Sequence, residues 1–277
     1  MHGIADHRPA RGLQCASTQG ARAGVSHRAR HRQLVPRPAA RLTGVRTQAG
    51  QLQVRAELHG WWWPAAKKDA PAILYLHGVR WNLTGQLFRI EQLHAQGYSV
   101  LAIDYRGFGQ SQGDLPSETS VYEDARIAWE RFQVLQPDPG KRLIYGHSLG
   151  GAVAIDLAAE LGQQAADKQL PPPVRGLVIE STFTSLADVA AAVANTSLPV
   201  RWLLSQKFDS IDKIAEIHMP LLVVHGLDDR YVPPRFSQQL FDAALEPKHL
   251  LLVPGASHNN SLSLGGRSYR QALQGLL

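Results

Sequence analysis

The segment Gly146-His147-Ser148-Leu149-Gly150 sets a serine between two glycines, directly after the apolar run KRLIYGHS (141–148) and ahead of an alanine-rich stretch. Small residues on either side of a serine are what a very tight strand-to-helix turn requires, because the two backbones come so close that a Cβ has no room. Such a turn pushes the hydroxyl out above the sheet, at a helix N-terminus where the dipole favours negative charge developing on a substrate. The chemistry this suits is nucleophilic attack. A serine hydroxyl is a weak nucleophile by itself, so it needs a base, and the base needs an acid to orient it.

For a serine presented in this way the acid follows in the chain and the histidine comes last. His258, in PGASHNNS, stands after the final apolar run and before the final helical segment. The other late histidine, His249, begins a strand and falls at the wrong end of the sheet. The acid should follow one of the late strands, and LLVVHGLDDRYVPP (221–234) offers Asp228 and Asp229. Adjacent residues in a turn point in different directions, so only one of them can meet His258. Glu180, at the end of the preceding apolar run, is a third candidate.

An oxyanion needs two backbone N–H donors, for which Leu149, after the serine, and Val79, after the sharp turn at His77-Gly78, are placed. Arg80 and Trp81 then stand at the mouth of the site, with Trp81 read as wall packing. His77, His147, His225 and His258 all fall at strand ends, but no pair has ligand spacing, so neither a metal nor a cofactor is expected.

These groups can meet only if strand ends bring them together. Six short apolar runs, at 71–78, 98–105, 141–148, 174–181, 219–226 and 249–255, have the length and content of strands buried on both faces, as in a parallel sheet. Helical segments are expected at 84–96, 119–135, 149–162, 235–246 and 261–275. The alternation predicts an α/β, doubly wound, mostly parallel sheet, in which ligands bind beyond the carboxyl ends of the strands. Residues 45–63 read as an edge hairpin turning at Ala49-Gly50, and 163–173 as a polar surface connection. The stretch 182–218 is too long for a simple loop and reads as a small lid-like insertion. YRGFGQSQG (105–113) lacks the context of a dinucleotide loop and reads as a surface turn.

The chain has 277 residues, 44% hydrophobic, with a formal charge of +6. That excess sits in residues 1–41, where eight arginines face the single acid Asp6, leaving the remainder near neutral with no basic stripe for nucleic acid. Residues 1–44 are therefore expected to form a disordered basic tail and 45–277 one domain. No run approaches the ~18 apolar residues of a membrane span and no signal-peptide core is visible, so a soluble, cytoplasmic chain is expected, with peripheral membrane association through the tail as the alternative. The one cysteine, Cys15, lies in the tail and excludes an internal disulfide and a thiol nucleophile in the body. Nothing in the sequence sets an oligomeric state.

Taken together, YLHG, IDYRGFGQSQG, GHSLGGAVA, ESTFTSL, HGLDDRYVPP and GASHN resemble the α/β-hydrolase superfamily in order and spacing, over about residues 45–275. Within it the chain is similar to serine hydrolases grouped with lysophospholipases, monoacylglycerol lipases and depalmitoylating α/β-hydrolase-domain proteins. The resemblance implies Ser148 as nucleophile, His258 as base and, as the last residue of an H-G-x-x-D pattern, Asp229 as the orienting acid. It implies a small-molecule ester or thioester substrate, an acyl-enzyme and no cofactor, with a peptidase or acyltransferase on the same three residues as alternatives and a non-catalytic binding protein as a remoter one. One departure is VRWN (79–82), where those relatives carry small residues.

Overall fold

The computed structural model describes residues 38–46, 54–80, 82–192 and 206–277. Residues 1–37, including Cys15, the hairpin turn at Ala49-Gly50, Trp81 and the middle of the 182–218 insertion lie outside the described residues.

Eight strands form one sheet: β1 (Pro38–Arg46), β2 (Val54–Trp63), β3 (Ala72–Leu76), β4 (Ser99–Ile103), β5 (Arg142–His147), β6 (Gly176–Glu180), β7 (Leu221–Gly226) and β8 (Lys248–Val253). Their spatial order is β1-β2-β4-β3-β5-β6-β7-β8. β1 and β2 pair antiparallel, and β2 joins β4 antiparallel. Every pair from β4 through β3, β5, β6 and β7 to β8 is parallel. The edge hairpin thus begins at Pro38, upstream of the boundary at residue 45 that the sequence suggested.

Helices cover both faces, which is why the central strands are apolar throughout. On one face Leu74, Leu101, Ile144, Ile179 and Val223 pack under α2 (Glu118–Leu135), α3 (Leu149–Asp167) and α6 (Arg235–Ala243). On the other, Ile73, Tyr75, Tyr145, Val178 and Val224 pack under α1 (Leu83–Ala95) and α7 (Ser261–Gln274). Successive residues of each strand alternate between the two cores, as the pleat dictates. Two short helices, α4 (Leu186–Ala192) and α5 (Ser210–Ile214), lie in the described parts of the 182–218 insertion.

Three details differ from the sequence reading. α3 runs on to Asp167, because Gln163, Gln164, Ala165 and Ala166 are good helix formers that its polar composition disguised. β8 is an edge strand with mostly half-buried residues rather than one covered on both faces. α7 is broken at Gly266, which adopts a φ of 50°. Among the described residues no helix is long and apolar enough to cross a membrane.

Candidate active site

The parallel register aligns the carboxyl ends of four strands: His147 pairs with Glu180 across β5 and β6, and Gly226 with Val253 across β7 and β8. Ser148, Glu180, Asp229 and His258 therefore all leave the sheet at one end. His249 sits exposed at the opposite end, beside Leu222 in the register.

Ser148 is held at φ 56°, ψ −122°, a conformation that costs a residue with a Cβ of order 1–3 kcal/mol. What sustains it is packing around the turn. A Cβ on Gly146 would lie 2.1 Å from Gly150 O, and one on Gly150 would lie 2.0 Å from Leu76 O, so neither position admits a side chain. The Ser148 N–H donates to Glu180 O (2.9 Å), while Ser148 O accepts from Gly151 N–H (2.8 Å) and the Thr182 hydroxyl (2.8 Å).

His258 Nδ1 donates to Asp229 Oδ2 at 2.7 Å, which leaves Nε2 to accept from the Ser148 hydroxyl at 3.0 Å. The other carboxylate oxygen of Asp229 accepts the backbone N–H groups of Tyr231 (2.8 Å) and Val232 (2.9 Å). His225 Nε2 lies 3.2 Å from Asp229 Oδ2 and also donates to Val232 O (2.9 Å), with its Nδ1 accepting from the Ser237 hydroxyl (2.6 Å). Burial by itself would raise the Asp229 pKa, but the hydrogen bonds from His225, His258 and the Val232 amide outweigh it and hold the carboxyl well below the ordinary range. Asp228 is exposed and its side chain makes no bond to His258; its backbone N–H bonds Ala256 O (2.8 Å).

The segment after β3 presses against the serine, since a Cβ on Gly78 would stand 3.0 Å from Ser148 Cβ. Val79 follows it at the rim, and neither the Val79 nor the Leu149 amide has a hydrogen-bond partner among the described residues. These groups open into a cavity of about 360 Å³ lined by Phe88, Phe183, Leu186, Val189 and Val232, three of them from the described start of the 182–218 stretch. At the mouth the Arg80 guanidinium lies 4.8 Å from the Tyr231 ring centroid, and that ring meets His258 edge-on at 5.6 Å.

Glu180 does not reach His258. Its carboxylate is buried against Arg89 Nη1 (2.7 Å), Tyr269 OH (2.8 Å) and Tyr145 OH. Sequence reasoning missed Arg89, although a signal existed: it stands beside Ile90 and four residues before Leu93 on the buried stripe of α1, where a charge is costly unless paired. The roles of His147, whose Nε2 donates to His258 O (2.8 Å), and of Tyr231 carried no sequence signal of this kind.

With the site in view, comparisons with known proteins are consistent with its architecture. The family model "Serine aminopeptidase, S33" matches residues 67–213. An uncharacterized protein of Mycobacterium tuberculosis (strain ATCC 25618 / H37Rv) is 39% identical over 242 residues, covering 87% of this chain and 80% of its own length. The lysophosphatidylserine lipase ABHD12 of Danio rerio is 33% identical over 219 residues, covering 69% of this chain and 54% of its own length. Among solved structures, the Pyrococcus furiosus esterase Pf2001 superposes with a TM-score of 0.66 at 20% identity, over 88% of this chain and 91% of that one, a likeness of fold. The chain belongs to the serine aminopeptidase S33 family and is a hydrolase of the α/β-hydrolase superfamily.

Proposed function

We propose that this protein cleaves carboxylic esters or thioesters through an acyl-enzyme on Ser148. The observation that carries this reading is the unbroken relay from Ser148 Oγ to His258 Nε2 and from His258 Nδ1 to Asp229, set on the floor of an apolar cavity. Ser148 Oγ attacks the acyl carbonyl carbon while its proton passes to His258 Nε2, and Asp229 stabilises the imidazolium. The amides of Leu149 and Val79 receive the oxyanion; a donor of this kind contributes ~10²–10³ in kcat. As the tetrahedral adduct collapses, His258 returns the proton to the leaving alcohol or thiol. A water then gives a proton to His258 and attacks the acyl-enzyme, releasing the acid and restoring the serine. Every proton is carried by His258, so the cycle requires no cofactor.

The wall residues Phe183, Leu186 and Val189 suit a short or medium acyl chain or a lysolipid tail. A peptidase acting on a free amino terminus would need a counter-charge for the ammonium, and no acidic side chain lines the cavity among the described residues. At the mouth Arg80, whose guanidinium meets the Tyr231 ring and no carboxylate among the described residues, supports instead a substrate with an anionic group, in keeping with the lysophosphatidylserine lipase for which the ABHD12 relative is named. A panel of p-nitrophenyl esters of graded chain length, run beside an aminoacyl-anilide and with acceptor alcohols present, tests the reading. Ester turnover with free acid as product is expected. Turnover of the anilide alone would make the protein a peptidase, and transfer to the alcohol in preference to water an acyltransferase.

A further inference from the structure

Two successive carbonyls of the loop that carries His258 are gripped from the side of the nucleophile. His147, the residue before Ser148, donates from Nε2 to His258 O at 2.8 Å. Arg89 Nη2 donates to Asn259 O at 3.2 Å. The other arm of the guanidinium, Nη1, is paired at 2.7 Å with Glu180, whose own backbone carbonyl holds the Ser148 amide. Tyr269, on the helix into which the His258 loop leads, donates its hydroxyl to the same carboxylate at 2.8 Å and lies 2.6 Å from Tyr145 OH. Arg89 is 6% exposed and Glu180 is 0% exposed.

A charged pair is expensive to bury, and packing alone would be served as well or better by apolar residues of similar size. The position of this pair is what distinguishes it. One guanidinium joins the strand end that fixes the serine to the loop that fixes its base, with one arm on each, a geometry that a fork of N–H donors provides and a point charge does not. His147 belongs to the same arrangement: burial first, then Arg89 and His258, keep its pKa well below the usual imidazole value, so it stays neutral with Nε2 as the donor.

We propose that Arg89, held by Glu180, is a positioning residue that fixes the distance and angle between His258 and Ser148. It acts through the Asn259 carbonyl and without contact to the reacting atoms. The inference rests on the reading of Ser148 and His258 as nucleophile and base.

The decisive variant is Arg89→Lys, which keeps a positive charge against Glu180 but cannot hold Glu180 and Asn259 O together. Turnover of p-nitrophenyl butyrate is measured per site titrated with a fluorophosphonate, so that unfolded protein is excluded. The expected result is a kcat lower by roughly 10- to 100-fold, the scale of a 1 Å misplacement, with KM within about twofold of wild type and fluorophosphonate labelling of Ser148 slowed in parallel. Wild-type kcat, or a raised KM with kcat unchanged, overturns the proposal; the latter would make Arg89 a substrate contact. The double variant Arg89→Met with Glu180→Gln leaves no uncompensated charge and should also be slow in kcat while folding. Wild-type kcat in that variant, or no titratable protein from either variant, shows that the pair serves the core alone and equally overturns the proposal. Failure of the underlying reading looks different: wild-type protein would then take no fluorophosphonate at Ser148.

Discussion

Replacing Asp229 by Asn changes a single heavy atom, yet the hydrogen-bond geometry turns it into a change of tautomer at His258. Oδ1 of Asp229 accepts two backbone N–H groups, from Tyr231 at 2.8 Å and Val232 at 2.9 Å. An NH₂ group cannot replace that oxygen without opposing two donors, so the Asn oxygen must stay there and its NH₂ must face His258 Nδ1, 2.7 Å from Oδ2 in the native site. Nδ1 then has to accept, the proton moves to Nε2, and the nitrogen that should take the Ser148 proton already carries one. A loss of ~10³–10⁴ in kcat follows for a wrong tautomer, about 4–5.5 kcal/mol in the barrier. The assay is kcat and KM on a short-chain p-nitrophenyl ester, with thermal unfolding measured alongside. Asp228→Asn, at an exposed side chain, should change kcat by less than about threefold, as a surface substitution does. A larger loss for Asp228→Asn, or Asp229→Asn within about tenfold of wild type, would refute the reasoning.

Three further outcomes are expected. Gly150→Ala should lower stability by at least ~1–3 kcal/mol, a fall of about 3–10 °C in Tm by calorimetry, because its Cβ would meet Leu76 O at 2.0 Å and neither backbone can rotate away; an unchanged Tm would contradict the packing of the turn. Val189→Phe should narrow the cavity and raise KM for octanoyl over acetyl esters by roughly tenfold, since each excluded methylene is worth ~0.8 kcal/mol; an unchanged chain-length profile would place the acyl group elsewhere. The Asp229 carboxyl is depressed in the folded protein, so below its ordinary value of ~3.9 the unfolded chain binds the proton first, and the stabilisation Asp229 supplies is full above that pH and lost as pH falls through the lower folded value. The stability gap between wild type and Asp229→Asn, followed by denaturant unfolding, should accordingly stay constant from pH 7 to about pH 4 and shrink only below it; shrinkage already at pH 6 would contradict the depressed carboxyl.

How far the sequence foretold this structure depended on whether a feature is local. A strand buried on both faces announces itself as a continuous apolar run, and KRLIYGHS and MPLLVVHG each contain the observed strand, Arg142–His147 and Leu221–Gly226. Ser148 was legible for the same reason, because the steric demand of its turn is written in Gly146 and Gly150 two residues away. Strand position left Asp228 and Asp229 open, and only the H-G-x-x-D pattern of the resemblance pointed to Asp229; what separates the two in the structure is the turn in which Asp229 N–H bonds Gly226 O (3.1 Å) and Oδ1 caps the amides of Tyr231 and Val232. Polar composition hid the last turn of α3, since Gln and Ala favour helix as much as they suggest a surface. The burial of Arg89 left a trace in the stripe of α1, but its partners did not, because the network joins four elements through hydrogen bonds between residues 35 to 124 apart, and Tyr145 and Tyr269 in isolation resemble ordinary core residues.

The most direct test is reaction of the folded protein with a fluorophosphonate, followed by peptide mass mapping, in wild type and in Ser148→Ala. A single adduct on Ser148 that appears together with loss of ester turnover, and the absence of both adduct and turnover in a Ser148→Ala protein of unchanged Tm, is the predicted result. No adduct at Ser148 in folded wild type, or Ser148→Ala retaining turnover within about tenfold, would contradict the assignment of the nucleophile and with it the proposed reaction.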